Sequence, residues 1–237
     1  MSADALNVAF DALKQYDWGT DTAVLAPIED AVAAAHGDEK LRADLEARLT
    51  ADLTSSISRD AKDYCCRKLT VIGTAGCVPA LAALLDKPDH AHMARFVLER
   101  MPLPEAGKAL RDAAGKLDGN LKLGVINSLG ARRDGEAVEV IAAALQNNDP
   151  AVARAAALAL GAIGTPQAAA ALKAMVVSAN GNKPYVIDGL LACAESLRGS
   201  KPAEARAIYE SLAGDNQSRL VRLAATRGML VCASVES

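Results

Sequence analysis

Aromatic residues are scarce in this 237-residue chain, which has one Trp, four Tyr and two Phe. Because strands favour aromatic and β-branched residues, this scarcity argues against a β-sandwich or a β-barrel. Glycine and proline, at 17 and 9 residues, are too few for a collagen-like or disordered chain in a composition that is 51% hydrophobic. Alanine, a strong helix former, supplies 51 residues. The composition therefore predicts an all-α protein.

Export signals, membrane-spanning runs and a disulfide framework are also missing. The N-terminus has no positive segment followed by an apolar one, and even the apolar stretch 151–164 is interrupted by Arg154. Five irregularly spaced cysteines favour a reducing compartment. The net charge of −3 provides no overall attraction to nucleic acid or to an anionic membrane. We expect a soluble cytoplasmic protein that does not bind membranes, and leave open that it belongs to a longer chain.

Motifs that carry catalysis or bind cofactors are absent from the sequence. It contains no Gly-x-Ser-x-Gly, no phosphate-binding glycine loop and no Gly-x-Gly-x-x-Gly. His90 and His92 are two residues apart, so on a helix they do not share a side, and we expect them to be exposed at a helix start. The acidic residues show no spacing that selects an acid–base pair. We therefore predict no catalytic residue, no metal, no cofactor and no enzymatic activity.

A helix–turn–helix unit is evident at residues 149–172. Asp149 and Thr165 are suitable N-caps, and each is followed by proline at the first helical position. Gly164 suits the left-handed end of a helix. Apolar residues four positions apart place one stripe along each helix. The unit therefore predicts two helices packed through their apolar stripes.

Related spacings recur about every 30 residues. A last helix, predicted at 218–232, repeats the spacing through Leu220, Ala224 and Val231. The segment 180–183 is predicted to be a longer loop. Residues 1–56 are less regular, with helices predicted at 4–15, 22–35 and 38–53, and we expect them to cap a single array whose recognisable repeats occupy 57–237.

The start of this unit, Asp149-Pro150-Ala151-Val152, and its Leu160-Gly161-Ala162-Ile163-Gly164 end resemble the HEAT-repeat family, in particular the short HEAT-like repeats named after phycobilisome lyases. The resemblance implies a right-handed α-α superhelix, a HEAT-like solenoid of about six to seven helix pairs. The family usually has Arg directly after the Val, where it joins an Asp ladder between repeats. Here Ala153 occupies that position and Arg154 follows. The alignment also places four cysteines where the strong repeat has alanine, so we predict that they pack in the core: Cys65, Cys66, Cys77 and Cys193.

An array without a catalytic constellation is expected to act through its extended surface, which in such arrays is the concave side lined by the second helix of each pair. Arginine and aromatic residues on that side are common interface anchors. We therefore predict a scaffold that binds a protein or peptide there. The candidate residues are Asp63, Tyr64, Arg67, His92, Phe96, Asn127, Arg154, Asp188 and Arg222.

Two alternatives come from proteins that share HEAT-like architecture. One is a bilin (tetrapyrrole) lyase or isomerase, which the name of the repeat suggests but for which no catalytic residue is evident. The other is a DNA-binding or glycosylase-like protein, for which Arg132-Arg133 and the arginines of the last helix would contact phosphates. Acidic residues interrupt that basic row, which disfavours nucleic acid. The di-iron hydroxylases of this architecture carry repeated His-Glu pairs, and this sequence has none.

Overall fold

The structure, a computed structural model, describes residues 3–178 and 183–235. All regular secondary structure in these ranges is helical, as the composition predicts. The α-helices are α1 (Ala3–Lys14), α2 (Ala26–Ala34), α3 (Glu39–Thr54), α4 (Arg59–Ile72), α5 (Val78–Ala82), α6 (Ala91–Arg100), α7 (Pro104–Lys116), α8 (Gly119–Ala131), α9 (Val138–Ala144), α10 (Pro150–Ile163), α11 (Pro166–Ser178), α12 (Lys183–Leu197), α13 (Pro202–Leu212) and α14 (Arg219–Val235). Short 3₁₀ turns lie at Thr22–Leu25, Ala75–Cys77 and Gly135–Ala137.

The ends of α10 follow the local signals in the sequence. The Asp149 carboxylate accepts a hydrogen bond from the Ala151 backbone N–H at 2.9 Å, and Pro150 is the first helical residue. Gly164 ends the helix in the left-handed conformation, with φ of 65°. Both features are the predicted ones, because capping satisfies N–H groups that have no partner within the helix.

Two predicted boundaries are corrected. The single helix predicted at 22–35 is a 3₁₀ turn at Thr22–Leu25 followed by α2. Pro27 explains the break, because proline fits the first turn of a helix and clashes with the preceding turn farther inside. In the loop predicted at 180–183, Lys183 is instead the first residue of α12, and residues 180–182 lie outside the described residues.

The chain divides into two compact units, residues 1–113 and 114–237. In the first unit, α3 packs on α4 and α4 packs on α6, with α2 and α5 beside them. The core of this unit is built from leucines and isoleucines that are almost fully buried, such as Leu45, Leu49 and Leu69. Whether the chain forms the single array predicted from its repeats stays a prediction.

Charged side chains tie neighbouring helices together in the first unit. Arg42 on α3 donates hydrogen bonds to the carbonyls of Ile72 (Nε, 2.7 Å) and Gly73 (3.3 Å) at the end of α4. Glu46 accepts from the backbone N–H groups of Thr74 and Cys77 at 2.8 and 3.1 Å. These hydrogen bonds provide partners for backbone N–H and carbonyl groups at helix ends, which have none within the helix.

In the second unit α10 packs between α8 and α12, and their backbones approach closely. A Cβ at Gly130 on α8 would lie 2.9 Å from the Cα of Ala159, and one at Gly189 on α12 would lie 2.6 Å from the carbonyl oxygen of Ala157. Real side chains do not tolerate such distances, so these helix contacts depend on glycine and alanine. Alanine is thus abundant here for its small volume as well as for its helix propensity.

The apolar register predicted for the last helix is wrong by one residue. Leu220 is 77% exposed, whereas the side of α14 that packs inward carries Ala225, Gly228 and Cys232. The aromatic ring of Tyr209 on α13 explains the difference, because a Cβ at Gly228 would lie 2.3 Å from it. Only the small residues of α14 fit against that ring, so the leucines face away.

The five cysteines are buried, at 2% exposure or less, and none forms a disulfide. Core packing of the four aligned with alanine is therefore confirmed. Burial raises the pKa of the Cys66 and Cys77 thiols to about 12. These thiols are protonated at neutral pH and act as small apolar side chains.

Candidate functional site: a cleft between α4 and α6

A cleft of about 200 Å³ opens between α4 and α6 of the first unit. Its lining includes four residues of the predicted binding surface, two from each helix, because residues three or four apart on a helix lie on the same side. They are Asp63, Arg67, His92 and Phe96. The structure therefore brings this part of the predicted surface together around one concave site.

The inner wall of the cleft is apolar. Cys66 and Met93, which complete its lining, are 2% and 4% exposed. Phe96 stands at the opening with 39% of its surface exposed. The guanidinium carbon of Arg100 lies 3.6 Å from the centroid of the Phe96 ring, a cation–π contact that holds the ring in place.

The opening of the cleft is charged. Arg67 Nε and Asp63 Oδ2 are 3.4 Å apart, with about half of each side chain in solvent. On α6, a guanidinium nitrogen of Arg95 lies 3.5 Å from His92 Nδ1. Groups of both signs thus surround an apolar pocket, so the site is suited to one apolar group flanked by polar ones.

The side chains of the cleft include a thiol, Cys66, on its inner wall. Burial, with the nearby Asp63 carboxylate, raises the pKa of the Cys66 thiol to about 12, so the thiol contributes apolar surface to the wall at neutral pH. Within the described ranges, no three or more His, Cys, Asp or Glu side chains are grouped so as to hold a metal ion.

The surface position predicted for Tyr64 is corrected by the structure. Its side chain is 5% exposed, and its hydroxyl lies 3.4 Å from the Leu25 carbonyl oxygen, to which it donates. The Lys68 ammonium lies 4.9 Å from the ring centroid. The reason is helical spacing, because Tyr64 follows Ala61 by three residues and so lies on the buried stripe of α4. Burial strongly raises the pKa of its hydroxyl.

The remaining predicted residues lie in the second unit, one on each of four helices: Asn127 on α8, Arg154 on α10, Asp188 on α12 and Arg222 on α14. The first three are exposed, and Arg222 is half-buried in an ion pair with Asp215. None of the four lines the groove among α12, α13 and α14 or the pocket between α11 and α13.

Sequence reasoning missed Cys66 and Met93 as walls of the cleft and Arg100 as the support of Phe96. Cys66 was assigned to the core, and burial alone does not show that one edge of a core residue faces a cavity. The spacing of Phe96 and Arg100, four residues apart on α6, was a usable signal for their contact.

A comparison with known proteins finds similarity to HEAT repeats. Residues 103–183 match the family model of HEAT repeats. An archaeal HEAT-like repeats protein from Thermococcus onnurineus NA1 shares the fold at 14% identity and a TM-score of 0.51, over 100% of this chain and 99% of that one. The predicted resemblance is thus confirmed: residues 103–183 match HEAT repeats, and the chain shares the fold of a HEAT-like repeat protein.

Two further solved structures are similar at lower TM-scores. Human deoxyhypusine hydroxylase matches at 15% identity and a TM-score of 0.40, over 98% of this chain and 99% of that one. The complex of CpcE and CpcF of phycocyanin lyase from Nostoc sp. PCC7120 matches at 20% identity and a TM-score of 0.41, over 97% of this chain and 94% of that one. Likenesses this distant do not define a shared activity. A comparison with curated proteins found no match.

No helix among the described residues combines the length and apolar character that crossing a membrane requires.

Proposed function

We propose that this chain is a non-enzymatic module that binds a protein or peptide, and that the cleft between α4 and α6 anchors one apolar side chain of that partner. The observation that carries the proposal is the cleft itself, in which the predicted surface residues surround an apolar pocket. Binding energy at interfaces concentrates in a few anchors that fill such pockets.

The size of the cleft favours a side chain over a free small molecule. Sites for drug-sized ligands and cofactors typically enclose about 300–1,000 Å³. The cleft, at about 200 Å³, is smaller than this range. A partner that places one apolar residue against Cys66, Met93 and Phe96 would present its polar neighbours to Asp63, Arg67 and His92.

The exposed row on the second unit extends the proposal. Asn127, Arg154 and Asp188 present an amide, a cation and an anion to solvent, which suits contacts to polar groups of a partner. We propose them as contributors to specificity and not as anchors, because exposed charged contacts contribute little affinity. We also propose a cytoplasmic location, which the buried, unbridged cysteines support.

The test uses a phage library of random 12-residue peptides, selected on the immobilised full chain. We expect the selected peptides to share one apolar residue at a constant position, flanked by polar residues. A consensus peptide is then synthesised with a fluorescent label, and its Kd is measured by fluorescence anisotropy.

Matched variants locate the site on the first unit. Phe96→Ala should weaken binding about tenfold, the effect of losing an anchoring wall. Val71→Ala is the control, because Val71 is an exposed apolar residue on α4 outside the cleft. Arg67→Glu should weaken binding of a peptide with acidic flanks, whereas Arg59→Glu should not. Arg67 and Arg59 are matched because both lie on α4, with side chains 58% and 60% exposed. Each also has a guanidinium nitrogen 3.4 Å from a carboxylate oxygen of a nearby Asp.

Equal effects of Phe96→Ala and Val71→Ala would contradict the assignment of the cleft. Pigment retained by the purified chain, or binding to duplex DNA that weakens steeply with salt, would instead favour the lyase or nucleic-acid alternative.

A further inference from the structure

Helix α14 presents an apolar stripe to solvent in the second unit. Leu220, Leu223 and Leu230 are 77%, 64% and 69% exposed. Their spacing, together with Arg227, places them on one side of the helix, opposite the buried Ala225 and Cys232. Three leucines exposed along one helix differ from the single scattered apolar residues normal on protein surfaces.

A groove runs beside this stripe. It has a volume of about 350 Å³ and lies among α12, α13 and α14. Its apolar lining comes from Leu191, Ala224 and Val231. Arg227 belongs both to the stripe and to the lining of the groove, so the two form one continuous surface. We call the leucine stripe with this groove the α14 surface.

The packing beneath the α14 surface is tight. A Cβ at Gly228 would lie 2.3 Å from the Tyr209 ring, so α14 rests directly on α13. The Tyr209 hydroxyl donates a hydrogen bond to Glu195 Oε2 at 3.1 Å. The helix that carries the leucines is thus held in place before a partner arrives, which lowers the entropic cost of binding.

The charge of the α14 surface is positive. Helix α14 contains Arg219, Arg222 and Arg227 and no acidic residue. Arg222 is neutralised by its ion pair with Asp215. In the groove, Arg198 and Glu195 form an ion pair at 2.9 Å, so their charges cancel. The sum is an excess of two positive charges, Arg219 and Arg227, beside the leucines.

We propose that the α14 surface docks an acidic amphipathic helix of a partner protein. An amphipathic helix places its apolar side in such a groove through residues three and four apart, which matches the spacing of the leucines. Acidic residues along its edges would face Arg219 and Arg227. A symmetric pairing with α14 of a second copy would instead bring arginines of like charge together, which is unfavourable. This binding site is separate from the cleft between α4 and α6 and does not depend on it.

The test uses two synthetic 18-residue probes with the same leucine positions, in which the polar positions are all Glu or all Lys. Binding of each labelled probe to the full chain is measured by fluorescence anisotropy at low salt. We expect the Glu probe to bind at least tenfold more tightly than the Lys probe. The double variant Arg219→Glu with Arg227→Glu should reverse this preference, whereas Arg206→Glu on α13 should keep it.

A second pair of variants tests the leucines. Leu223→Ser should weaken binding of the Glu probe by roughly 10-fold to 100-fold, the effect of losing one buried leucine side chain. The control is Leu158→Ser, because Leu158 is 45% exposed on α10 and is not part of the α14 surface. Circular dichroism verifies that both variants are folded.

Three results would overturn the proposal. The first is equal affinity for the two probes, and the second is an equal effect of Leu223→Ser and Leu158→Ser. The third is self-association of the chain, measured by light scattering, that Leu223→Ser abolishes while the Glu probe fails to bind. That result would assign the α14 surface to a second copy.

Discussion

Replacing Gly189 on α12 by alanine tests the close packing of α10 and α12. In an open helical position this change stabilises a protein, by about 0.5–1 kcal/mol, because alanine is the better helix former. At Gly189 the added Cβ would lie 2.6 Å from the Ala157 carbonyl oxygen and 3.2 Å from Leu172 Cδ1. Ordinary contacts need about 3.5 Å, so the helices must separate.

The expected magnitude combines two opposing effects. Overpacking a core costs about 1–3 kcal/mol, and the helix propensity of alanine returns up to about 1 kcal/mol. We therefore expect Gly189→Ala to lower the free energy of unfolding by about 1–2 kcal/mol. For a chain of this length the corresponding loss of Tm is roughly 2–8 °C.

The assay is a thermal melt followed by circular dichroism, with Gly115→Ala as the matched control. Gly115 is also helical, near the end of α7, and a Cβ there meets nothing within 4 Å. The control should therefore raise Tm slightly while Gly189→Ala lowers it. A rise in Tm in both variants would contradict the close packing at Gly189, because helix propensity alone would then explain the data.

Three further predictions concern stability. Ala156→Phe should destabilise the chain by about 1–3 kcal/mol, because Ala156 is fully buried on α10, and an unchanged melt would contradict that packing. Asp149→Ala should lower the free energy of unfolding by about 0.5–2 kcal/mol, because α10 loses its N-cap. Asp118→Ala is the control and should cost less, because Asp118 is an N-cap without a side-chain hydrogen bond. Equal losses of stability in urea unfolding would contradict the capping role of Asp149. Burial raises the pKa of Asp52, so its ionisation costs stability above its folded pKa, and Asp52→Asn should raise Tm at pH 7. That gain should shrink as the pH falls from the raised pKa of folded Asp52 towards about 4, the ordinary pKa of Asp, and should be absent below it. A gain independent of pH would exclude ionisation as its cause.

Helix positions and most apolar stripes were predictable from the sequence because they depend on local signals. The capping of α10 by Asp149 and its end at Gly164 are examples. The stripe of α12 was equally predictable, since Val186, Leu190 and Leu197 repeat the spacing of α10 and are buried. Caps and periodicity act within one helix, so no neighbour is needed to infer them.

The register of α14 was not predictable from hydrophobicity. A hydrophobic pattern assigns the leucines of α14 to the core, but the Tyr209 ring leaves no room for a side chain at Gly228, and the neighbouring Ala225 is buried. This contact is between α13 and α14, and it determines which side of α14 faces inward. The exposed leucines follow from that choice.

The candidate site was predictable in part. The alignment of the repeats placed Asp63, Arg67, His92 and Phe96 on the predicted binding surface, and the structure places all four around one cleft. The cavity and its buried wall depend on the separation of the two helices, which a sequence pattern does not contain. Met93 was missed for that reason.

The most direct test of the proposed function is a methyl NMR titration with the selected consensus peptide. Met93 reports on the cleft, and Met229 on α14 reports on the second unit. If the peptide binds in the cleft, the Met93 methyl signal should shift saturably with the same Kd as the anisotropy measurement, and the Met229 signal should stay unchanged. A saturable shift at Met229 with Met93 unchanged would contradict the assignment of the binding site to the cleft.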